Sequence, residues 1–325
     1  MLLSIVLGSA LSSLNSGHVS QKSIITGGLI GFCIASICAV GHFAFLYRLR
    51  YLSFTAHLLL STAYFTAVAL TVMAVKFLLF DRIHDITKWT HNLVSATLLT
   101  LGLSFTSAFV LMLRRMLGPN VLLNFFTGRY YTPIEEERIF MFVDIVSSTT
   151  IAEKIGHLNF HVFLNDYFYD ITDAILSAEG EIYKYVGDEI IVSWRVSDSI
   201  SNTRCIQSFF EIKKSVEKKK QAYLDKFGFF PYCRAGLHCG PVIVGEMGDF
   251  KREIAFLGDT VNTTARIQEA CKEYGADLLV SSELLNKLQI PRDYKLTSLG
   301  EIRLKGKDKP MKLFGIENSQ GELPQ

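Results

Sequence analysis

Two aspartates sit in apolar runs that give no local reason for a charge. Asp144 interrupts "MFVDIVSSTT" (residues 141–150), and Asp188 interrupts "IYKYVGDEIIVSW" (residues 182–194). Either acid alone reads as a cap or turn residue. Together, two carboxylates at the ends of neighbouring strands would hold hard cations through oxygen. The hydroxyl cluster that follows Asp144 offers a helix start, where free N–H groups bind anions. Carboxylates beside such a helix end are what a nucleoside triphosphate with magnesium needs. Asn262 and Arg266, spaced i and i+4, fall on one face of a helix that opens near Thr260.

These residues need elements to position them. Residues 138–146 read as a strand in which Ile139, Met141, Val143 and Ile145 alternate with Phe140 and Phe142, apolar on both faces as in a covered sheet. Residues 147–149 supply an N-cap, and 150–180 carry the 3.6-residue apolar period of one or two helices. Residues 181–194 form a hairpin turning at Gly187-Asp188. If it pairs with the first strand, the two carboxylates meet at one edge of the sheet. Alternation along the strand predicts that Glu189 faces away from them. Residues 201–227 read as one helix whose lysines (Lys213, Lys214, Lys218, Lys219, Lys220) form a solvated face. Strands at 233–238 and 241–247 meet at Gly240. A helix (260–274), a short strand (278–281) and a hairpin through Leu304 to Ile316 complete an α+β order, helices on a mostly antiparallel sheet.

The N-terminal third is different. Runs 24–46, 53–75 and 93–113 contain no Lys, Arg, Asp or Glu, and each is long enough to cross a hydrocarbon core of roughly 30 Å. Arg48 and Arg50 follow the first run, and Arg114 and Arg115 follow the third, which places both points on the cytoplasmic side. Residues 1–14 are too short for a clear span and lack the positive region of a signal peptide, so a fourth span there stays open. The expected organisation is a multi-pass membrane domain (1–118) in the cell (inner) membrane, a linker (119–138) and a cytosolic catalytic domain (139–318). Thr132-Pro133 followed by three glutamates predicts a short helix start in the linker.

A formal net charge of +2 on 325 residues argues against a nucleic-acid partner. The six cysteines form no CxxC pair or metal spacing and read as reduced thiols. His157 and His161 lack a third ligand and read as a surface pair. His238 reads as a packing residue.

The stretches "FVDIVSST", "YKYVGDE", "GLHCG" with "VGEMG", "LGDTVNTTARI" and "LKGK" follow one another over residues 139–316. In order and spacing this resembles the class III nucleotidyl cyclases, the adenylate and guanylate cyclases, of a membrane-anchored bacterial type. The resemblance implies a ferredoxin-like palm that converts ATP to 3′,5′-cyclic AMP and pyrophosphate. It implies two Mg²⁺ or Mn²⁺ ions per site, held by Asp144 and Asp188 with the carbonyl of Ile145. Lys184 matches the purine-reading lysine of adenylate cyclases, Asn262 the ribose-orienting asparagine, Arg266 the arginine that steadies the α-phosphate, and Lys305 a triphosphate contact. Because the family builds each site from two subunits, a homodimer is implied.

One position departs from the pattern. Seven residues before Asn262, many members carry Asp, Thr or Ser to recognise the adenine amino group, and here stands Ala255. That keeps a guanylate or mixed-specificity cyclase open beside the adenylate reading. A catalytically silent nucleotide-binding domain is the other alternative, opposed by the complete set Asp144, Asp188, Asn262 and Arg266. A diguanylate cyclase fits less well, since "YVGDEIIV" lacks the second glycine and the Phe of that family's signature.

Overall fold

The computed structural model describes residues 25, 36–37, 52–80, 86–118, 121–196, 203–307 and 309–318. The expected span at 24–46, apart from three positions, and the segment 1–14 lie outside the described residues. The chain divides into two compact units, residues 1–119 and 120–325.

In the first unit, α1 (Phe54–Phe80) and α2 (Ile86–Leu117) are the two described helices. Both are long and apolar enough to cross a membrane, over Phe54–Val72 and Thr97–Leu117. Phe65 and Ala108 pack together, while Leu59, Leu98, Leu99, Leu103 and Phe105 remain exposed. A helix in a soluble core would bury such residues. The helices are joined by a polar contact, in which Arg115 donates to His57 Nε2 at 3.5 Å while His57 Nδ1 meets Ser61 Oγ at 3.2 Å.

The second unit opens with the short α3 (Val121–Thr127) and then β1 (Ile134–Ile145). The helix start expected after Pro133 is therefore a strand. All three glutamates pair across β1 with residues 241–243 of β4 (Cys233–Met247), and this long-range ladder overrides the local helix signal. α4 (Ser148–Ile155) and α5 (His157–Ser177) follow. The hairpin β2 (Glu181–Val186) and β3 (Glu189–Arg195) turns at Gly187, whose φ of 64° suits glycine. In place of one long helix, α6 (Arg204–Glu217) and α7 (Lys220–Phe227) break at Lys218-Lys219. Lys213, Lys219 and Lys226 pair with Asp277, Asp170 and Asp166 of other segments. The chain ends in β5 (Glu253–Leu257), α8 (Asp259–Glu273), β6 (Leu278–Ser281), α9 (Ser282–Leu285), β7 (Tyr294–Ile302) and β8 (Met311–Asn318). Leu304 lies in the connection of the last hairpin, not in its strands.

The sheet order is β2-β3-β1-β4-β6-β8-β7, with β5 paired to β4. Only the β4·β6 pairing is parallel among the described strands. Contrary to the expected break at Gly240, β4 runs through it as one strand. Gly240 is needed for close approach, because a Cβ there would lie 2.7 Å from Thr260 Oγ1 of α8. Pro241 is tolerated because β6 pairs β4 only up to Leu237 and β5 only from Ile243, which leaves that flank without a ladder.

The alternation in β1 sorts the core. Ile139, Met141, Val143 and Ile145 pack with Phe163, Tyr167, Ile171 and Phe209 of the helices. Phe140 and Phe142 face the other way and pack with Tyr130, Ile191, Val242 and Val244. Burial of each such side chain contributes about 1.5–3 kcal/mol. Arg138, fully buried on the same face as Phe140 and Phe142, donates to Glu136 (2.9 Å), Glu181 (2.7 Å) and the Tyr130 hydroxyl (3.1 Å). These partners satisfy a charge that burial alone would make costly.

Candidate functional site

Asp144 lies one residue from the end of β1, and register pairs its neighbour Val143 with Ile190 of β3. The next residues back along β3 are Glu189 and then the turn residue Asp188, which folds onto Asp144. The two carboxyls lie against each other, and the Ile145 N–H and the buried Gln268 side chain adjoin Asp144 and favour its charged form. Burial foremost, then the adjoining Asp188, holds Asp144 far above the usual carboxylate range. Gathering like charges in this way favours a bound cation.

Glu189 corrects the expectation drawn from alternation. That rule compares residues within a strand, and Asp188 is in the turn. Glu189 has the strand parity of Ile191, and Asp144 that of Phe142; Ile191 and Phe142 share one cluster. Glu189 therefore belongs to the same face as Asp144. Burial, followed by the charges of Asp144, Asp188 and Glu269, pushes it up to about 7.

The helix after Asp144 begins as expected, but Ser147 does not cap it. Ser147 adopts a left-handed conformation (φ 59°, ψ 31°) and its side chain makes no capping hydrogen bond. A non-glycine residue held there stores strain of about 1–3 kcal/mol, a feature that clusters at ligand-binding turns.

The remaining candidates fall into two groups. Lys184 on β2 reaches Glu253 on β5 at 3.0 Å, and the Tyr183 hydroxyl accepts from the Phe256 N–H at 3.4 Å. These contacts bracket Ala255, which is buried and pairs with Gly245. So Lys184 and Ala255, 71 positions apart, share one corner. Asn262 is exposed on α8, and Arg266, half-buried one turn on, pairs with Glu269 at 2.5 Å. Lys305 is exposed in the turn after β7, and Lys307, which the sequence did not single out, pairs with Asp259 in the first turn of α8.

His157 and His161 are exposed. His238 is buried, with Nδ1 2.7 Å from Ser281 Oγ, and burial pushes it down to about 4. The four described cysteines are buried thiols outside any disulfide among the described residues, and Cys33 and Cys38 lie outside the described residues. Among the described residues no three His, Cys, Asp or Glu side chains converge as a ready-made metal site. The donor set is a carboxylate pair, which fits magnesium or manganese completed by substrate phosphates better than an all-protein cage.

The family model for the adenylate and guanylate cyclase catalytic domain matches residues 131–318. The chain belongs to the class III nucleotidyl cyclases. Among curated cyclases, adenylate cyclase 2 of Rhizobium meliloti (strain 1021) is 35% identical over 208 residues, covering 64% of this chain and 57% of that protein. The adenylate cyclase of Anabaena cylindrica is 28% identical over 185 residues, covering 54% of this chain and 36% of that one. This cyclase thus spans about half or less of the length of the relatives it matches. The adenylyl cyclase CyaB from P. aeruginosa shares the catalytic fold at a TM-score of 0.52 and 19% identity, covering 59% of this chain and 99% of that one.

Proposed function

We propose that this cyclase is a membrane-anchored adenylate cyclase that converts ATP to 3′,5′-cyclic AMP and pyrophosphate in a homodimer with two shared sites. The observation that carries the reading is the division of labour within one chain. Asp144 and Asp188 adjoin at the end of β1, while Asn262 and Arg266 stand on an accessible face of α8. Two copies in head-to-tail exchange would bring each half to the other. Exposed Ile243, Met247, Phe250 and Leu257 along the β4–β5 ribbon provide an apolar surface for that pairing. The curated relatives named adenylate cyclase support ATP as the nucleotide.

In this reading Asp144, Asp188 and the carbonyl of Ile145 hold divalent cations. Such ions, when bound, lower the pKa of a hydroxyl and neutralise a leaving phosphate. The protein's own residues do the rest. Lys184 on β2 of the other copy reads the purine edge. Asn262 of the partner helix orients the ribose so that its 3′-hydroxyl lies in line with the α-phosphorus. Arg266 donates to the α-phosphate as negative charge builds in the transition state. Lys305 contacts the triphosphate. No covalent intermediate is needed, because the attacking hydroxyl belongs to the substrate.

Two apolar helices with exposed faces support a membrane anchor for residues 1–118, with residues 119–138 as the linker to a catalytic domain at 139–318. A second reading, guanylate or mixed specificity, is favoured by Ala255, which offers no side-chain hydrogen bond to the base. The test is direct. The purified full chain in detergent is incubated with ATP or GTP and Mg²⁺ or Mn²⁺, and the product is identified by mass. Cyclic AMP in excess of cyclic GMP supports the proposal; no cyclic nucleotide under any of the four conditions contradicts it.

A further inference from the structure

A single helix, α8, carries residues for two different surroundings. Arg266 and Gln268 are two positions apart, so they project about 200° apart around the helix axis. Arg266 is half-buried on the side that also carries exposed Asn262. Gln268 is only 8% exposed and lies where α8 meets the sheet. That contact is unusually close. A Cβ on Gly236 of β4 would lie 2.4 Å from the Gln268 backbone nitrogen and 2.8 Å from its Cα, so only glycine lets the helix lie there. Gly236 pairs with Phe142, two residues before Asp144 on β1. The approach therefore delivers Gln268 to the face of β1 that carries Asp144, where its side-chain amide lies beside the carboxylate and favours the charged form.

We infer that Gln268 is a positioning residue that orients the Asp144 carboxylate for its cation, so that each α8 serves both sites of the dimer. Gln268 aligns an acid of its own chain, and Arg266 on the same helix acts in the partner's site. This rests on the shared-site reading proposed above. An amide N–H that fixes one carboxylate oxygen leaves the other free, in one orientation, for a hard cation. Partners of this kind change metal affinity by about 10- to 100-fold when removed. The rigid helix between Gln268 and Arg266 would also connect the occupancy of one site to the geometry of the other.

The first test needs no turnover. Mn²⁺ binding to the full chain without nucleotide is followed by electron paramagnetic resonance. Gln268→Met, which keeps length and helix propensity but loses the donor, should weaken binding about tenfold. Arg266→Ala on the same helix should leave it unchanged. Wild-type affinity in Gln268→Met would overturn the inference.

The second test separates positioning from general damage to the helix. An Asp144→Ala chain is mixed with an Arg266→Ala chain, so that one intact site remains, its acids from the latter chain. Gln268→Met placed on the Arg266→Ala chain should raise the Mn²⁺ concentration for half-maximal turnover. Placed on the Asp144→Ala chain it should not. Equal effects from both placements would overturn the inference. An inactive parent pair, with heterodimers shown to form, would refute the shared site and the two-site role of α8, and the Mn²⁺ titration would still decide the link between Gln268 and Asp144.

Discussion

Asp144 and Asp188, 44 positions apart, bring their carboxyls together because the β2–β3 turn closes at Gly187 directly beyond the last paired residues of β1 and β3. Without a cation the contact is a liability, since two acids share one half-buried space and one of them resists ionisation.

This makes stability and activity move in opposite directions at Asp188. Asp188→Asn should stabilise the cation-free protein by about 1 kcal/mol, the size usual for relieving a strained functional group, while abolishing turnover. Urea unfolding in a chelator, followed by fluorescence of the buried Trp194 in a Trp89→Phe background, reads the first effect. Added Mn²⁺ should raise the midpoint of the parent protein and not that of the variant. A variant less stable than its parent in chelator would show that the acid pair is structural.

Nucleotide preference turns on the corner shared by Lys184 and Ala255. With no side-chain partner at 255, the preference for ATP should be modest, because sites that hydrogen-bond a group discriminate far better than sites that only accommodate it. The buried position favours a compact hydroxyl over a carboxylate as a test. Ala255→Thr should raise the ATP-to-GTP ratio of kcat/KM about tenfold, as one hydrogen bond of about 1–1.5 kcal/mol would. Lys184→Glu should lower it. Strict rejection of GTP by the parent, unmoved by Ala255→Thr, would assign the reading to a main-chain group.

His238 should leave a signature in stability against pH. Burial holds its folded pKa near 4, below the unfolded value of 6.5. Between these values the unfolded chain binds a proton that the folded chain does not. Stability is therefore complete above about pH 6.5 and falls as pH drops toward 4, by about 3 kcal/mol in all. Asp144 and Glu189, whose pKa values are raised, contribute in the opposite sense, losing stability as pH rises toward 7. The difference between wild type and His238→Gln isolates the histidine. Parallel curves for the two proteins would refute this assignment.

Much of the catalytic unit was legible in the sequence because strand alternation is a strong constraint. Five consecutive apolar residues of β1, 139–143, fill both faces and leave few places for Asp144 except the strand's end. The hairpin at Gly187 follows from the same logic. What failed were segments whose state is set by distant partners. Residues 135–137 read as a helix start and are held extended by β4. Residues 253–257 have no distinctive alternation and become β5 only through the far end of β4. Glu189 was misjudged because a turn residue was counted as part of a strand. Gln268 left one available signal, a polar side chain on the buried stripe formed by Thr260, Thr264, Ile267 and Cys271. The purine corner was named from a resemblance, since nothing local links positions 184 and 255.

Assembly of each site from two chains is open to a complementation experiment. Asp144→Ala and Arg266→Ala chains are purified separately, each expected to be nearly inactive, with the arginine variant losing about 2.7–4 kcal/mol of transition-state stabilisation. They are then mixed, heterodimer formation is verified by differential tagging, and cyclic nucleotide production is measured. A site built across the interface predicts that activity returns, from the one intact site of each heterodimer. Verified heterodimers that remain as inactive as the separate variants would contradict the account.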